Sequence, residues 1–254
     1  GIARAMVNPQ RLLAYLDYSR AIKTAYELDQ LRAANRLALA GHAAAKARFL
    51  EGGSEYEIHM AYLQATQSLE DETPYTNIVA LNEKAAILHY QLKRKANIDK
   101  GQVLLIDAGC RINAYGSDIT RTSVSSDAHP CFQSLVTALE ALELALVAEV
   151  KPGNSYQTLH ESALRRIAKV LIDHQICSGG LEEVIEVHDV GGHQSDITGT
   201  ILPPPKDAPA LRNTRVMQTD MVFTVEPGLY FIPLILEAER NTAKGKLLNW
   251  KAIE

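Results

Sequence analysis

Two aspartates lie in apolar or β-branched stretches of the chain, eleven residues apart. Asp107 follows Leu104-Leu105-Ile106, and Asp118 precedes Ile119-Thr120. If the two stretches form a hairpin centred on Ile112-Asn113, Asp107 lies directly opposite Asp118, with Cβ atoms about 5 Å apart. Two like charges so placed repel each other, so either one carboxyl stays protonated or a divalent cation lies between them.

The spacing of the two aspartates supports two interpretations equally. They are either metal ligands or ordinary carboxylates that end two strands near solvent, because carboxylates are usually exposed unless they are paired. Hard oxygen ligands suit Mn²⁺, Mg²⁺ or Ca²⁺, and an added imidazole shifts the preference toward Mn²⁺, Co²⁺ or Zn²⁺.

A third acid, Glu226, ends an apolar run that begins at Met221 and is followed by Pro227 and Gly228. Proline cannot donate to a strand ladder, and glycine permits close approach to the backbone. An acid at the mouth of a core strand is a candidate site residue. Taken by itself, an exposed glutamate at a strand end is the more common explanation.

Two of the eight histidines, His89 and His188, lie within or beside apolar runs. On pattern alone, each is more often a hydrogen-bonded core residue than a ligand or a base. His42, His59, His160 and His174 fall on predicted helices among polar neighbours and are predicted to be surface residues, and His129 and His193 fall in loops.

The elements that must position these residues follow from hydrophobic periodicity and capping signals. Helices are predicted at Ala25–Leu50, from Ser54 to about Leu69, at Phe132–Val150 and at about Tyr156–His174. Strands are predicted at Thr76–Ala80, Ala86–Tyr90, Val103–Ala108, Ser117–Val124, Val184–Val190 and Met221–Tyr230. Two helices followed by strands, twice over, indicate an α+β fold.

Composition excludes several classes of protein. The net charge of −4 and the absence of an extended basic stretch argue against nucleic-acid binding. No stretch approaches the roughly 20 apolar residues that span a bilayer, so no membrane association and a cytoplasmic location are expected. Three cysteines without a CxxC spacing suggest neither a disulfide framework nor a zinc knuckle.

The motifs taken together are far more specific than any one of them. In order, ILHY, LIDAG, SDITRT, VHDVGG and TVEPGLY resemble the prolidase and aminopeptidase P branch of the pita-bread metallopeptidases. The resemblance covers the chain from about residue 23 onward and is closest to bacterial Xaa-Pro dipeptidases, a group that includes enzymes acting on organophosphorus esters. It implies two helix-plus-strand halves around a curved antiparallel sheet.

The resemblance also implies roles for particular residues. Asp107, Asp118 and Glu226 match metal ligands, and His89 and His188 match two histidines beside the substrate that do not bind metal. The implied reaction hydrolyses dipeptides that end in proline. Two divalent ions, expected to be Mn²⁺ with Co²⁺ or Zn²⁺ as alternatives, polarise the scissile carbonyl and hold the attacking water. Glu226 passes the proton to the proline nitrogen.

Three parts of the family pattern do not occur in this sequence. A glycine-rich stretch with a histidine ligand is expected before VHDVGG, and residues between Glu186 and Val187 are therefore expected to be absent. The last glutamate ligand would follow Glu254. Residues 1–22 are interpreted as a linker left from a smaller amino-terminal domain, and residues 23–254 as an incomplete catalytic domain. With three of five ligands, the chain alone is expected to bind at most one ion weakly.

Other functions stay open from the sequence alone. One alternative is a non-catalytic module of the same fold that binds peptides or proteins, although such a module would have no reason to retain three acids. A second is an enzyme similar to methionine aminopeptidase. A small peptide substrate is the expected partner, and self-association as a homodimer stays open.

Overall fold

The computed structural model describes residues 7–96, 101–187 and 215–253. The chain divides into two compact units. The sheet unit contains Tyr26–Ala138 and Tyr230–Lys246, and the helical unit contains Gly1–Ala25, Leu139–Leu229 and Leu247–Glu254.

The helices and strands alternate in groups along the chain. The α-helices are α1 (Gln10–Ala21), α2 (Ala25–Leu50), α3 (Glu55–Thr66), α4 (Pro130–Glu149), α5 (Tyr156–Asp173), α6 (Leu181–Val187), α7 (Pro233–Glu239) and α8 (Trp250–Ile253). The strands are β1 (Ile78–Leu81), β2 (Val103–Ala108), β3 (Arg111–Ile112), β4 (Tyr115–Gly116) and β5 (Ile119–Val124). Single 3₁₀ turns occur at Glu70–Glu72, Asn82–Ala86 and Gly245–Leu247.

Helix α2 has the bounds predicted from the sequence and buries a single stripe. Its buried residues recur every three or four positions, as expected for one face of a helix. They are Leu31, Ala34, Ala38, Gly41, His42, Ala45 and Phe49. Small residues predominate in this stripe, so neighbouring elements can approach the helix backbone closely.

Helix α3 begins at the predicted capping box. The Ser54 hydroxyl accepts a hydrogen bond from the Glu57 N–H, and the Glu57 carboxylate accepts one from the Ser54 N–H at 2.9 Å. Both contacts satisfy backbone donors that a helix start leaves free. The helix ends at Gln67, which has a left-handed φ of 51°.

The sheet has the order β1-β2-β5, and its strands are antiparallel. Alternate residues of β2 point to opposite faces, and Leu104, Ile106 and Ala108 pack with α2 and α3 in one apolar cluster. Asp107 alternates with these residues and therefore lies on the opposite face, beside its pairing partner Ile78 of β1.

The hairpin that carries the two aspartates has a different register from the predicted one. Asp107 lies opposite Thr120, and the turn falls at Asn113-Ala114, with φ of 48° and 68°. Two left-handed residues are what a two-residue hairpin turn requires, but alanine gives little signal for that conformation. The prediction of a turn at Ile112-Asn113 was therefore wrong, and Asp118 lies diagonally from Asp107.

Three predicted strands do not form among the described residues. At Ala86–Tyr90, the 3₁₀ turn Asn82–Ala86 is followed by an irregular segment. The Asn82 side chain accepts from the N–H groups of Gln102 and Val103, next to the start of β2. Residues 184–187 belong to helix α6, whose start is capped by the Glu183 carboxylate. Residues 188–190 lie outside the described residues.

The run Met221–Tyr230 was also predicted as a strand and is not one. Met221 makes an isolated bridge with Ile22, and the residues after it have no regular secondary structure. A strand needs a partner along its length, and the Thr224 carbonyl instead accepts from the Tyr156 hydroxyl at 2.9 Å.

The helical unit is organised around helix α5. Its start is capped by Ser155, and its inner face buries Leu159, Ala163 and Ile167 among others. Tyr156 is 2% exposed and packs edge-on against Phe223, with ring centroids 5.0 Å apart. These contacts fix the segment that leads to Glu226.

Helix α4 is longer and more apolar than the sequence analysis expected. It has 20 residues, and only 17% of its apolar stretch is buried. By length and composition it could cross a membrane, although the core helix of a soluble protein passes the same test. The expectation that no stretch approaches this limit was wrong.

Gly41 tests how closely α2 and α3 pack. A Cβ at this position would lie 2.6 Å from the Tyr62 ring and 2.7 Å from the Thr66 methyl. We expect Gly41→Ala to lower the free energy of unfolding by about 1–3 kcal/mol, as overpacking does, despite the higher helix propensity of alanine. Urea denaturation measures the change. Ala40→Gly, at an exposed position of the same helix, measures the effect of helix propensity alone. A Gly41→Ala protein that is more stable than the wild type would contradict the prediction.

Candidate metal centre

The hydroxyl of Tyr75 joins the two aspartates. It lies 2.7 Å from Oδ1 of Asp107 and 2.8 Å from Oδ1 of Asp118. Because both distances end on one oxygen atom, the two Oδ1 atoms can be at most 5.5 Å apart, the sum of the two. The structure therefore brings the two predicted ligands together despite the difference in register.

One phenol proton cannot serve two carboxylates at the same time. The Tyr75 hydroxyl donates to one oxygen, and the short contact with the other requires a carboxyl proton or a cation. Burial, followed by the negative charges of Asp107 and Asp118, raises the pKa of Tyr75 far above its ordinary value. The phenol therefore stays protonated at neutral pH and remains a donor.

Asp107 resists ionisation where it lies. Burial raises the pKa of its carboxyl, the hydrogen bond from Tyr75 lowers it, and the charge of Asp118 raises it again, with a net result above the ordinary value. Two carboxylates this close together form a set of hard oxygen ligands whose negative charges repel each other. A divalent cation supplies that charge.

The turn before β1 holds Tyr75 in place. The Thr73 hydroxyl donates toward the Tyr75 carbonyl at 2.8 Å, and the Arg111 guanidinium donates to the Thr73 carbonyl at 2.5 Å. These contacts tie the turn to strand β3 of the hairpin. Tyr75 then precedes Ile78, which pairs with Asp107.

Gly109 makes room for the approach of the two aspartates. A Cβ there would overlap the Ser117 carbonyl oxygen and lie 2.7 Å from Pro74. The Ser117 side chain accepts from the Cys110 N–H at 2.9 Å, so a side chain links the residues between β2 and β3 to the residues between β4 and β5. The close passage of the strands at this point requires a residue without a side chain.

His42 contacts the end of strand β2 from the opposite face of the sheet. Its Nε2 lies 3.1 Å from the carbonyl oxygen of Ala108, the residue after Asp107. Burial lowers the pKa of His42, so the ring is neutral at physiological pH and donates this hydrogen bond. His42 was predicted to be a surface residue and is buried instead.

His89 is not the core residue that its apolar neighbours suggest. It is exposed and has a left-handed φ of 54°. Its charge is near enough to lower the pKa of Asp107, the least of five influences on that carboxyl. An exposed imidazole near the aspartates is placed to meet a bound ligand.

The remaining predicted site residues are described separately. Glu226 is half-buried in the helical unit, in a segment without regular structure. His188 lies outside the described residues. Within the described ranges, no group of three or more His, Cys, Asp or Glu side chains is placed to hold a metal ion. The structure thus brings together two of the predicted ligands.

Tyr75 is the site residue that sequence reasoning missed. It is one of ten tyrosines and follows a proline in an irregular segment. Neither its spacing nor its neighbours distinguish it, since its contacts are with residues 32 and 43 positions away.

The sequence pattern of metallopeptidase family M24 matches residues 29–250. The chain belongs to this family. The Xaa-Pro dipeptidase of Pseudoalteromonas atlantica is 40% identical over 98% of this chain and 61% of its own length. That of Aeromonas hydrophila is 41% identical over 97% and 60%. The chain thus spans about three-fifths of the length of these relatives.

Solved structures of aminopeptidase P share the fold. The Pseudomonas aeruginosa enzyme PepP superimposes with a TM-score of 0.67 at 26% identity, covering 83% of this chain and 49% of that one. Zn-substituted Escherichia coli aminopeptidase P in complex with product gives 0.71 at 24%, covering 84% and 49%. The predicted α+β pita-bread class is confirmed.

The relatives also carry residues that this M24 chain lacks. The alignment with the Pseudoalteromonas atlantica protein runs over 272 residues but contains 98% of this chain's 254 residues, about 249, so it extends over about 23 more positions than this chain fills. Those additional residues have no counterpart in this sequence.

The raised pKa of Asp107 leads to a prediction about stability. A carboxyl with a raised pKa in the folded state favours folding at acid pH, and this contribution is lost as pH rises through that pKa. We therefore expect Asp107→Asn to raise the unfolding temperature of the chelator-treated protein at neutral pH. The gain should shrink as the pH falls toward about 4, where the wild-type carboxyl is protonated.

Thermal unfolding in EDTA between about pH 4 and pH 8 tests this. The control is Asp29→Asn, at an aspartate whose side chain is 71% exposed. Its unfolding temperature should follow that of the wild type across this pH range. Mn²⁺ should raise the unfolding temperature of the wild type and not that of Asp107→Asn. An Asp107→Asn protein that is less stable than wild type in EDTA at neutral pH would contradict the account.

Proposed function

We propose that this protein hydrolyses dipeptides with carboxy-terminal proline and that Asp107, Asp118 and Glu226 are metal ligands of its active site. The observation that supports this best is the pair of carboxylates that share one phenol proton, since a divalent ion resolves their mutual repulsion. The substrate class is proposed because relatives about 40% identical are named Xaa-Pro dipeptidases.

The residues present fit divalent metal ions as the cofactor. Carboxylate oxygens suit Mn²⁺, and we propose two ions with Mn²⁺ as the native metal and Co²⁺ or Zn²⁺ as substitutes. When bound, such ions polarise the peptide carbonyl and lower the pKa of water. M24 proteins are metallopeptidases, and the Escherichia coli aminopeptidase P structure is of a Zn-substituted form.

The other side chains would orient the substrate and move protons. Glu226 would accept the proton of the attacking water and deliver it to the proline nitrogen, the leaving group. Tyr75, which remains protonated, would keep the Asp107 and Asp118 carboxylates in their mutual orientation. His89 and His188 would contact the substrate, and the exposure of His89 is consistent with that role.

A non-catalytic peptide-binding module of the same fold is the second candidate. It is favoured by one observation: the described residues contain no cluster of three or more metal-binding side chains. The acids at Asp107 and Asp118 favour the enzyme, because in a binding module their repulsion would only reduce stability. A cytoplasmic location, a homodimer, and the division into a linker of residues 1–22 and a catalytic domain of residues 23–254 remain predictions.

Hydrolysis of Gly-Pro tests the proposed function. For an M24 protein that carries all five ligands we expect activity that is lost in EDTA and restored by Mn²⁺, and we expect Asp118→Asn in it to lower kcat/KM by more than about 100-fold, because even partners behind the ligands contribute about 10–100-fold. The 254 residues alone, with three of these ligands, should bind at most one ion weakly and should not cleave Gly-Pro. The control Asp71→Asn changes an exposed aspartate of the same unit. Full activity after chelation would refute the metal mechanism. Binding of Gly-Pro by the five-ligand protein without cleavage at any Mn²⁺ concentration would support the binding module.

A further inference from the structure

Glu55, the first residue of helix α3, is a buried carboxylate away from the two aspartates. Its side chain is 1% exposed. Each of its oxygens accepts two hydrogen bonds. Oε1 accepts from the Leu81 N–H and from Nη2 of Arg94, both at 3.1 Å. Oε2 accepts from the Tyr90 hydroxyl at 2.9 Å and from the Arg94 N–H at 2.8 Å.

These four donors keep Glu55 ionised. Burial alone would raise the pKa of its carboxyl, but the hydrogen bonds from Arg94, Leu81 and Tyr90 hold the pKa below its ordinary value. The position at the start of a helix also favours a negative charge. A buried carboxylate with four donors holds them strongly, because a neutral amide in its place would keep one acceptor oxygen and leave the donors at the other position unpaired.

All four donors belong to the segment from Leu81 to Arg94. Leu81 ends strand β1, Tyr90 lies in the irregular part, and Arg94 lies near its end, where the Arg94 carbonyl accepts from the Tyr56 N–H at 3.1 Å. Helix α3 therefore holds both ends and the middle of this segment. Residues 87–95 belong to no strand or helix. Hydrogen bonds to the Glu55 carboxylate therefore hold this segment where a strand or helix would use backbone hydrogen bonds.

His89 lies within the segment that Glu55 holds. Its neighbour Tyr90 is 7% exposed and packs against Ile78 and Ala80 of β1. Ile78 pairs with Asp107, so Tyr90 packs on the sheet face that carries this aspartate. Because Tyr90 is fixed by its hydroxyl and its ring, the exposed and left-handed His89 has little freedom to move from that face.

We propose that Glu55 is a positioning residue that holds His89 beside the substrate of the two-aspartate site through Tyr90 and Arg94. The proposal rests on the proposed function for the role of His89, and on the hydrogen bonds of Glu55 alone for the ordering of the segment. Glu55 contacts neither the aspartates nor a substrate, so its effect on catalysis is indirect.

The first test is Glu55→Gln, with Glu83→Gln as the matched control. Glu83 is the other acid beside Arg94, 3.4 Å from Nη1, and its side chain is 64% exposed. Hydrogen exchange should accelerate at least 10-fold at the backbone amides of Leu81 and Arg94, which donate to Glu55, in Glu55→Gln and stay unchanged in Glu83→Gln. This measurement needs no activity. Unchanged exchange in Glu55→Gln would overturn the proposal.

The second test asks whether Glu55 acts through His89. In an M24 protein that carries all five ligands, Glu55→Gln should lower kcat on Gly-Pro about 10-fold or more while the affinity for Mn²⁺ in calorimetry stays unchanged. In a His89→Ala background, Glu55→Gln should cause no further loss, because the residue that it positions is gone. Additive losses, or a loss of Mn²⁺ binding, would show that Glu55 has a general structural role and would overturn the proposal.

Tyr90→Phe is the milder variant in case Glu55→Gln does not fold. It removes one hydrogen bond and retains the Glu55–Arg94 ion pair, so it should show the same pattern with a smaller loss in kcat, and unchanged kcat would contradict the proposal. If the five-ligand protein with Mn²⁺ does not cleave Gly-Pro, the proposed function fails, while the exchange experiment still decides whether Glu55 orders the segment.

Discussion

The Tyr75 hydroxyl lies between two carboxyl groups near the end of the central strand β2, and the turn and hairpin around it bring these groups together. Tyr75 reaches both aspartates because Thr73 and Arg111 tie its turn to the hairpin. The aspartates approach each other because Gly109 leaves space beside Ser117 and Pro74. A side chain at Gly109 would meet the Ser117 carbonyl oxygen and force the chain apart at this point.

Glu55 and Asp107 illustrate opposite outcomes of taking a carboxylate out of water. Glu55 has four donors, and its pKa is lowered, so its ionised form stabilises the fold. Asp107 receives hydrogen bonds from the side chains of Tyr75 and Thr120, but burial and the charge of Asp118 raise its pKa, so its ionised form is costly. A protein that needed only stability would avoid the repulsion between Asp107 and Asp118. A close pair of carboxylates is what a binding site for a cation provides.

Much of the fold follows from local sequence signals. Helix α2 was predicted to the residue, and the capping box of Ser54 and Glu57 set the start of α3, because these depend on residues a few positions apart. Strand β2 was likewise correct. The hairpin register was not, since the Asn113-Ala114 turn gives no glycine signal. The roles of Tyr75 and Glu55 depend on partners 26 to 43 residues away, which periodicity does not reveal.

The central claim is that Asp107 and Asp118 are ligands of one metal centre rather than a pair of strand-end acids. The most direct measurement is anomalous X-ray diffraction at the manganese absorption edge from crystals of the protein grown with Mn²⁺. The account predicts a manganese peak within coordination distance, about 2–2.5 Å, of a carboxylate oxygen of each aspartate. Manganese peaks elsewhere, with both carboxylates still directed only at the Tyr75 hydroxyl, would contradict it.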